Sequence, residues 1–117
     1  MAKVLLVDED ERDMRLIRWV LEEEGHSTTC AQSAEQAIRS AEGEPPDLVL
    51  FDSHAPRAGR SRAIENLREV VPTVHVIDVA TYREASGQLV KGADRELLLP
   101  FDAEELLAAV HALTGDP

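Results

Sequence analysis

Short apolar runs alternate with longer amphipathic segments along the whole chain. Each run has the length of a strand that is buried on both faces, and each amphipathic segment repeats its apolar residues at helical spacing. The predicted strands lie at 3–7, 27–31, 48–51, 74–79 and 97–99.

The amphipathic segments differ in how strongly they predict helices. In the first, from about Glu11 to Glu24, Leu16 belongs to the face expected to be buried, and Trp19 lies on the opposite, partly exposed face. The segment at about 81–91 contains glycine, serine and threonine but few apolar residues. It therefore predicts a short or irregular fourth helix.

Five strands that alternate with five helices predict a doubly wound parallel sheet, formed by one domain over residues 1–117. Ligands bind such sheets outside the carboxyl ends of the strands. Asp8 and Glu9 follow the first predicted strand. Asp52 follows the third, and Leu99 ends the fifth. These positions form the candidate site.

The acidic balance of the chain narrows the range of functions. Asp and Glu number 23 against 12 Lys and Arg, which gives a formal net charge of -11. Binding to nucleic acid requires clustered cations, so direct contact with nucleic acid is not expected. The small basic group formed by Arg57, Arg60 and Arg62 is interpreted as a solvated loop.

Cysteine use and hydropathy predict a soluble cytoplasmic protein without a membrane anchor. Cys30 is the single cysteine, which fits a reducing compartment. No apolar run approaches the length of a membrane span, and the N-terminus becomes acidic at Asp8, too early for a signal peptide.

The acids at the predicted strand ends are suited to a magnesium ion. Mg²⁺ prefers carboxylate oxygens and keeps several of its waters. A carboxylate beside such an ion can also act as a nucleophile toward a phosphoryl group. Asp8, Glu9 and Asp52 are the candidates for both roles.

Several pieces of the chain, in their order and spacing, resemble the receiver domain of two-component response regulators. These pieces are Lys-Val-Leu-Leu-Val-Asp8-Glu9, Pro-Asp-Leu-Val-Leu-Phe-Asp52, Gly92-Ala-Asp94 and Pro-Phe-Asp102. The resemblance covers nearly the whole chain. It implies a flavodoxin-like fold with strand order 2-1-3-4-5.

The resemblance also implies a role for each matching residue. Asp52 takes the place of the phosphoacceptor. Mg²⁺ would be held by carboxylates and by the backbone carbonyl of His54; the implied carboxylates are Asp8, Glu9 and Asp52. The peptide bond between residue 99 and Pro100 is expected to be cis.

Other positions depart from the receiver pattern. Leu99 stands where the family has a phosphate-contacting lysine, and Glu96 stands where it has a switch aromatic residue. The switch hydroxyl at the end of the fourth strand falls on Ala80 when counted forward from the third strand and on Ile77 when counted back. Thr81 comes one residue after the first of these positions.

Asp78 lies between these two candidate positions, Ile77 and Ala80. An ionised carboxylate inside a buried strand is costly. We therefore expect the fourth strand to end near Asp78 and this acid to join the cluster.

Three functional hypotheses follow. The first is an atypical, non-enzymatic receiver that binds a partner protein with little or no dependence on phosphate. The contact would use either the Trp19 face or the surface formed by the last two helices and the fifth strand. The second of these surfaces could also form a homodimer. The second is a phosphorelay receiver that a histidine kinase phosphorylates, with Arg57 or Lys91 as a compensating cation. The third is a phosphohydrolase of the haloacid dehalogenase type, because Asp8-Glu-Asp10 also fits its opening motif.

Overall fold

A computed structural model describes residues 1–52, 54–81 and 87–115. The strands are β1 (Lys3–Val7), β2 (Ser27–Ala31), β3 (Leu48–Phe51), β4 (His75–Thr81) and β5 (Arg95–Leu99). The helices within the described residues are α1 (Glu11–Glu23), α2 (Ala34–Gly43), α3 (Arg57–Val70) and α4 (Ala103–Thr114).

The five strands form one parallel sheet in the order β2-β1-β3-β4-β5. Side chains alternate between the two faces of a strand. Leu6, Leu50 and Ile77 accordingly pack with α1 and α4 on one face. Leu5 and Val49 pack with α2 and α3 on the other. The predicted doubly wound architecture is confirmed.

Local sequence signals explain where two of the helices begin. The Ser33 side chain accepts a hydrogen bond from Gln36 N at the start of α2. Asp102 and Glu105 form a reciprocal capping box at the start of α4. Both caps satisfy backbone N–H groups that a helix start leaves without an intrahelical acceptor.

The fourth strand and the segment after it differ from the sequence prediction. β4 does not end near Asp78 but continues to Thr81. Of the helix predicted at about 81–91, Thr81 belongs to β4 and residues 87–91 are not helical, while 82–86 lie outside the described residues.

Two further expectations about exposure were wrong. The basic group at residues 57–62 is not a loop but the first part of α3, and Arg60 is fully buried. Leu16 is 68% exposed, because Met14, Ile17 and Leu21 form the buried face of α1. Trp19 is 61% exposed, as predicted.

A histidine pair joins the last helix to the turn before β2. His26 is buried, and its Nδ1 accepts a hydrogen bond from Ala2 N at 3.0 Å. Its Nε2 lies 3.0 Å from His111 Nε2 on α4. The contact links residues that are 85 positions apart in the sequence.

None of the helices in the described ranges combines the length and apolar character that a membrane crossing requires.

Candidate functional site

The backbone of the sheet places Asp8 and Asp52 side by side. Val7 and Phe51 are partners in the β1–β3 register. The ladder continues one residue further, since Asp52 N donates to Val7 O at 2.8 Å and Asp8 N donates to Ala31 O at 3.0 Å. The carboxyl ends of two central strands thus fix both acids, as the sequence predicted.

A cavity of about 450 Å³ opens beside these acids, between α1, the β3–α3 loop and the end of β5. Its walls include Asp13 and Arg12 from the first turns of α1 and His54 from the loop. Asp52 and Leu99 line the same cavity. The cavity is therefore acidic on one side and apolar on the other.

Burial and mutual repulsion perturb the two central acids. Burial raises the pKa of Asp8. Burial, followed by the charge of Asp8, raises the pKa of Asp52 to about 7. Two carboxylates in one site cannot both ionise at their ordinary pKa. At neutral pH the pair therefore holds a proton for much of the time unless a cation neutralises it.

The donor set fits a divalent cation. Asp8 is only 1% exposed, and its Oδ1 accepts a hydrogen bond from Asp10 N at 2.8 Å. Its Oδ2 is buried and has no hydrogen-bond partner in the described part of the chain. A buried carboxylate oxygen without a donor is costly, and a hard cation such as Mg²⁺ relieves that cost.

Glu9 lies close to the loop that carries His54. Its two carboxylate oxygens are each 3.3 Å from the backbone N–H of His54, which donates to them. Glu9 thus anchors the loop behind Asp52. The predicted metal role of Glu9 and of the His54 carbonyl stays a prediction.

Asp13 and Arg12 were not identified as site residues from the sequence. One ligand atom each from Asp8, Asp13 and His54 lies within 4.8 Å of the others. The available signal was helical phase, since α1 starts at Glu11, shortly after the end of β1, and turns its first residues over the strand ends.

Leu99 occupies the end of β5, next to a cis Leu99–Pro100 peptide bond. The resemblance implied this cis bond. The two cations proposed as substitutes for a lysine lie elsewhere. Arg57 donates to Gln88 O at 2.8 Å, and the exposed Lys91 lines a separate pocket beside α3. Among the described residues that line the cavity, Arg12 is the cation.

Asp78 does not join the acidic cluster. It lies in the middle of β4 with its side chain on the α2 and α3 face, fully buried against the fully buried Arg60. Arg60 Nε donates to Asp78 Oδ1 at 3.0 Å. Burial raises the pKa of Asp78, and Arg60 opposes this shift. The carboxylate of Asp78 is tolerated inside the buried strand because Arg60, on the helix packed against it, supplies a compensating positive charge.

Arg60 also reaches the site indirectly. Its Nη1 donates to the backbone carbonyl of Ala55. Ala55 follows His54 in the loop between β3 and α3. The ion pair with Asp78 therefore ties this loop to the centre of the sheet.

The remaining switch positions lie in β4 and β5. Ala80 is buried, and Thr81 is level with Leu99 in the β4–β5 register. Glu96 is the register partner of Asp78, and its Oε2 is buried with no hydrogen-bond partner among the residues described. Ala80 and Thr81 thus lie in β4, beyond the strand end expected near Asp78, and Glu96 lies in β5, before its predicted start. The predicted roles of these positions stay predictions.

The Asp8-Glu-Asp10 motif does not direct two carboxylates into the cavity. The Asp10 side chain instead accepts a hydrogen bond from Arg12 N at 2.9 Å and caps α1. The opening motif of a phosphohydrolase is therefore used here as a helix cap.

Many known proteins are similar to this chain in sequence or in fold. The chain matches the family model of the response regulator receiver domain over residues 4–111. It is 30% identical to protein PilH of Pseudomonas aeruginosa, over 97% of this chain and 98% of PilH.

Longer proteins contain a similar segment. The chain is 28% identical to the alkaline phosphatase synthesis transcriptional regulatory protein PhoP of Bacillus subtilis, over 95% of this chain and 48% of PhoP. It thus spans about half the length of several such relatives. The chemotaxis protein CheY4 of Vibrio cholerae has a similar fold, with a TM-score of 0.83, 24% identity and coverage of 97% of this chain and 98% of that one.

Proposed function

Because the chain belongs to the response regulator receiver domain family, we propose that it is an atypical receiver that signals through protein contacts with weak or no dependence on phosphorylation of Asp52. Receiver domains are generally signalling modules rather than enzymes. Membership of this family favours the two receiver hypotheses over the phosphohydrolase hypothesis.

The observation that carries this proposal is Leu99. It lines the same cavity as Asp52, at the strand end where the family resemblance places a lysine. Two unit charges about 4 Å apart at an effective dielectric constant of 20 attract by about 4 kcal/mol. Loss of that attraction corresponds to about a thousandfold in the stability of a phosphorylated state.

The fourth strand supports the same conclusion. Ala80 offers no hydroxyl, and the buried pair of Arg60 with Asp78 holds β4 to α3. An element that is fixed by a buried ion pair is poorly suited to move in response to a phosphoryl group, since breaking such a pair costs about 3–5 kcal/mol.

The exposed apolar residues of α1 are the proposed contact surface. Leu16 and Trp19 are the large apolar side chains that α1 presents to solvent, and tryptophan is enriched at the centres of protein interfaces. We propose a histidine kinase or a downstream signalling protein as partner, in the cytoplasm. The alternative is a contact through a different surface, formed by α4 and β5, which could also form a homodimer.

Magnesium is proposed as the resident ion of the acidic cavity. Asp8 and Asp52 would hold it, together with Glu9 and the backbone carbonyl of His54. When bound, the ion neutralises the carboxylates and leaves Asp52 ionised. Asp8 Oδ2, buried and without a hydrogen-bond donor in the described residues, supports this assignment.

A phosphorelay receiver is the second candidate, and the position of Arg12 favours it. Arg12 and Asp52 line one cavity, and the Arg12 side chain is largely exposed, 3.6 Å from Asp10. The guanidinium therefore has room to turn toward a phosphoryl group on Asp52. Arg57 and Lys91 lack this position.

The decisive experiment is incubation with phosphoramidate and Mg²⁺, followed by intact mass measurement. We expect little or no phosphoryl mass increment on the parent chain. The Leu99→Lys variant should gain an increment, because a cation then meets the phosphoryl oxygens. Asp52→Ala in the same background should abolish it.

The control is Leu98→Lys, which adds the same charge one residue earlier, on the opposite face of β5. A stable adduct on the parent chain that disappears in Asp52→Ala would contradict the phosphate-independent function. Loss of that adduct in Arg12→Ala would then establish Arg12 as the compensating cation.

A further inference from the structure

The acidic cavity contains a nitrogen ligand as well as carboxylates. His54 lines the cavity, and its side chain, Asp13 and Asp8 each offer a ligand atom within 4.8 Å of the other two. Imidazole nitrogen is a ligand for zinc, cobalt and nickel, whereas Mg²⁺ is bound through oxygen. The side chain of His54 therefore affects which metal ion the cavity binds most tightly.

Each of the three residues has a distinct reason to face the same point. Asp8 is fixed at the end of β1 by the hydrogen bond from Asp10 N. Asp13 lies in the first turn of α1. The His54 backbone is anchored by Glu9, and a ring nitrogen of its exposed side chain lies within 4.8 Å of an Asp8 carboxylate oxygen.

The Asp8 carboxylate shows that the cluster lacks a positive partner. Its Oδ2 is buried and accepts no hydrogen bond from the residues described, although Asp8 is 1% exposed. Arg12 is directed to Asp10 at 3.6 Å. A cation between the three side chains would satisfy this oxygen.

The spacing is compatible with direct ligation. Tetrahedral ligands about 2.0–2.1 Å from zinc lie about 3.4 Å from one another. The observed limit of 4.8 Å exceeds this by about 1.4 Å. The side chains of Asp13 and His54 are exposed and can close the difference by rotating. The buried Asp8 would stay in place.

We propose that Asp8, Asp13 and His54 form a transition-metal site, which binds Zn²⁺ or Co²⁺ through two carboxylates and one imidazole more tightly than it binds Mg²⁺. The site shares Asp8 with the magnesium set of the proposed function, so the two ions compete. It uses the His54 side chain rather than its carbonyl and Asp13 rather than Asp52. Its existence does not depend on phosphorylation.

A second histidine constellation does not have this geometry. In the His26–His111 pair the ring centroids are 5.2 Å apart while the two Nε2 atoms are 3.0 Å apart. The nitrogens therefore point at each other, as in a hydrogen bond, rather than toward a common third point. This pair serves as the internal comparison.

The test is titration of the full chain with CoCl₂ and ZnCl₂ in a Cys30→Ser background, which removes the one thiol. Visible absorption reports the cobalt ligand field, and calorimetry reports zinc and magnesium affinity. We expect His54→Ala and Asp13→Asn each to weaken Co²⁺ and Zn²⁺ binding by about tenfold or more, which is about 1.4 kcal/mol. In His54→Ala, Mg²⁺ affinity should change by less than about twofold.

The matched control is His75→Ala, which removes another imidazole that does not line the cavity. Zinc affinity that is unchanged in His54→Ala, or that is lost in His111→Ala instead, would overturn the proposal. Circular dichroism of each variant checks the fold, and His54→Gln provides a second variant that keeps a polar side chain. Asp52 phosphorylation is read separately by mass, so failure of one proposal leaves the other standing.

Discussion

The surroundings of Asp52 strongly alter its ionisation. Its pKa is raised from 3.8 to about 7 by burial and by the charge of Asp8. In the unfolded chain the same group ionises near its ordinary value. Between these two values the folded protein binds a proton that the unfolded chain releases, so the free energy of unfolding should fall as pH rises through this range.

We expect Asp52→Asn to be more stable than the parent chain at pH 8, by about 2 kcal/mol. A shift of about three pKa units corresponds to about 4 kcal/mol, and partial solvent access reduces that figure. Between pH 4 and about pH 7 the parent should lose stability that the variant retains. Urea denaturation at pH 5 and pH 8 without divalent cations measures both effects.

Glu104→Gln is the matched control, because it removes one exposed carboxylate from α4. Its stability should follow that of the parent at both pH values. Equal stability of Asp52→Asn and the parent at pH 8 would contradict the raised pKa.

Residue identity predicted the centre of the site but not its periphery. Asp8 and Asp52 follow apolar strands directly, so the sequence indicates both their position and their proximity. The presence of Asp13 and Arg12 at the site depends on which face of α1 lies over the strand ends, and the positions of the acids in the sequence do not indicate this. Asp78 alone indicates that a cation lies nearby, because a carboxylate inside a buried strand requires one, but it does not indicate that this cation is Arg60.

At the scale of elements, one buried ion pair connects α3 to β4. Arg60 and Asp78 are both 0% exposed, and Arg60 Nη2 also reaches Asp78 Oδ2 at 3.4 Å. Removal of either partner leaves an unpaired buried charge. Removal of both leaves a space that apolar side chains can fill.

We predict that Arg60→Met lowers the free energy of unfolding by about 3–5 kcal/mol. The double variant Arg60→Met with Asp78→Leu should recover most of this loss, to within about 1–2 kcal/mol of the parent. A double-mutant cycle measured by urea denaturation gives the coupling energy.

Arg62→Met, an exposed position on the same helix, should change stability by less than about 0.5 kcal/mol. If the losses from the two single variants of the pair simply added in the double variant, the ion pair would not be the structural unit described here.

Element boundaries followed from the sequence where local chemistry decided them. The first three strands match the predicted limits, and Ser33 and Asp102 cap α2 and α4. The end of β4 did not follow, because a long-range contact with α3 outweighs the unfavourable strand position of Asp78. The helix predicted at about 81–91 does not include residues 87–91.

At the scale of the whole molecule, negative charge dominates. The net charge is -11 on a body of 33 × 32 × 27 Å. Such a concentration of one sign destabilises the compact state by self-repulsion. Dissolved salt weakens this repulsion, since the Debye length falls from about 30 Å at 0.01 M to about 8 Å at 0.15 M.

We expect the melting temperature to rise by about 3–6 °C between these two salt concentrations, which corresponds to about 1 kcal/mol. Differential scanning calorimetry in NaCl measures the change. Choline chloride at equal ionic strength serves as control, because its quaternary ammonium cation cannot coordinate carboxylates as a metal ion does. A melting temperature that falls with salt would indicate that attractive ion pairs outweigh the self-repulsion.

The overall arrangement was predictable because alternating strands and helices with short connections leave few parallel topologies. The order β2-β1-β3-β4-β5 also followed from the resemblance to receiver domains. Charge, however, does not specify where individual cations lie. The burial of Arg60 depends on packing between distant segments.

The histidine pair that joins α4 to the turn before β2 has a chemical consequence of its own. Ala2 N–H occupies His26 Nδ1, so the ring proton of neutral His26 resides on Nε2. That proton points at His111 Nε2, and a neutral His111 must then carry its proton on Nδ1. The two imidazoles in contact therefore adopt opposite tautomers. The ¹⁵N chemical shifts should show a protonated Nε2 in His26 and a protonated Nδ1 in His111.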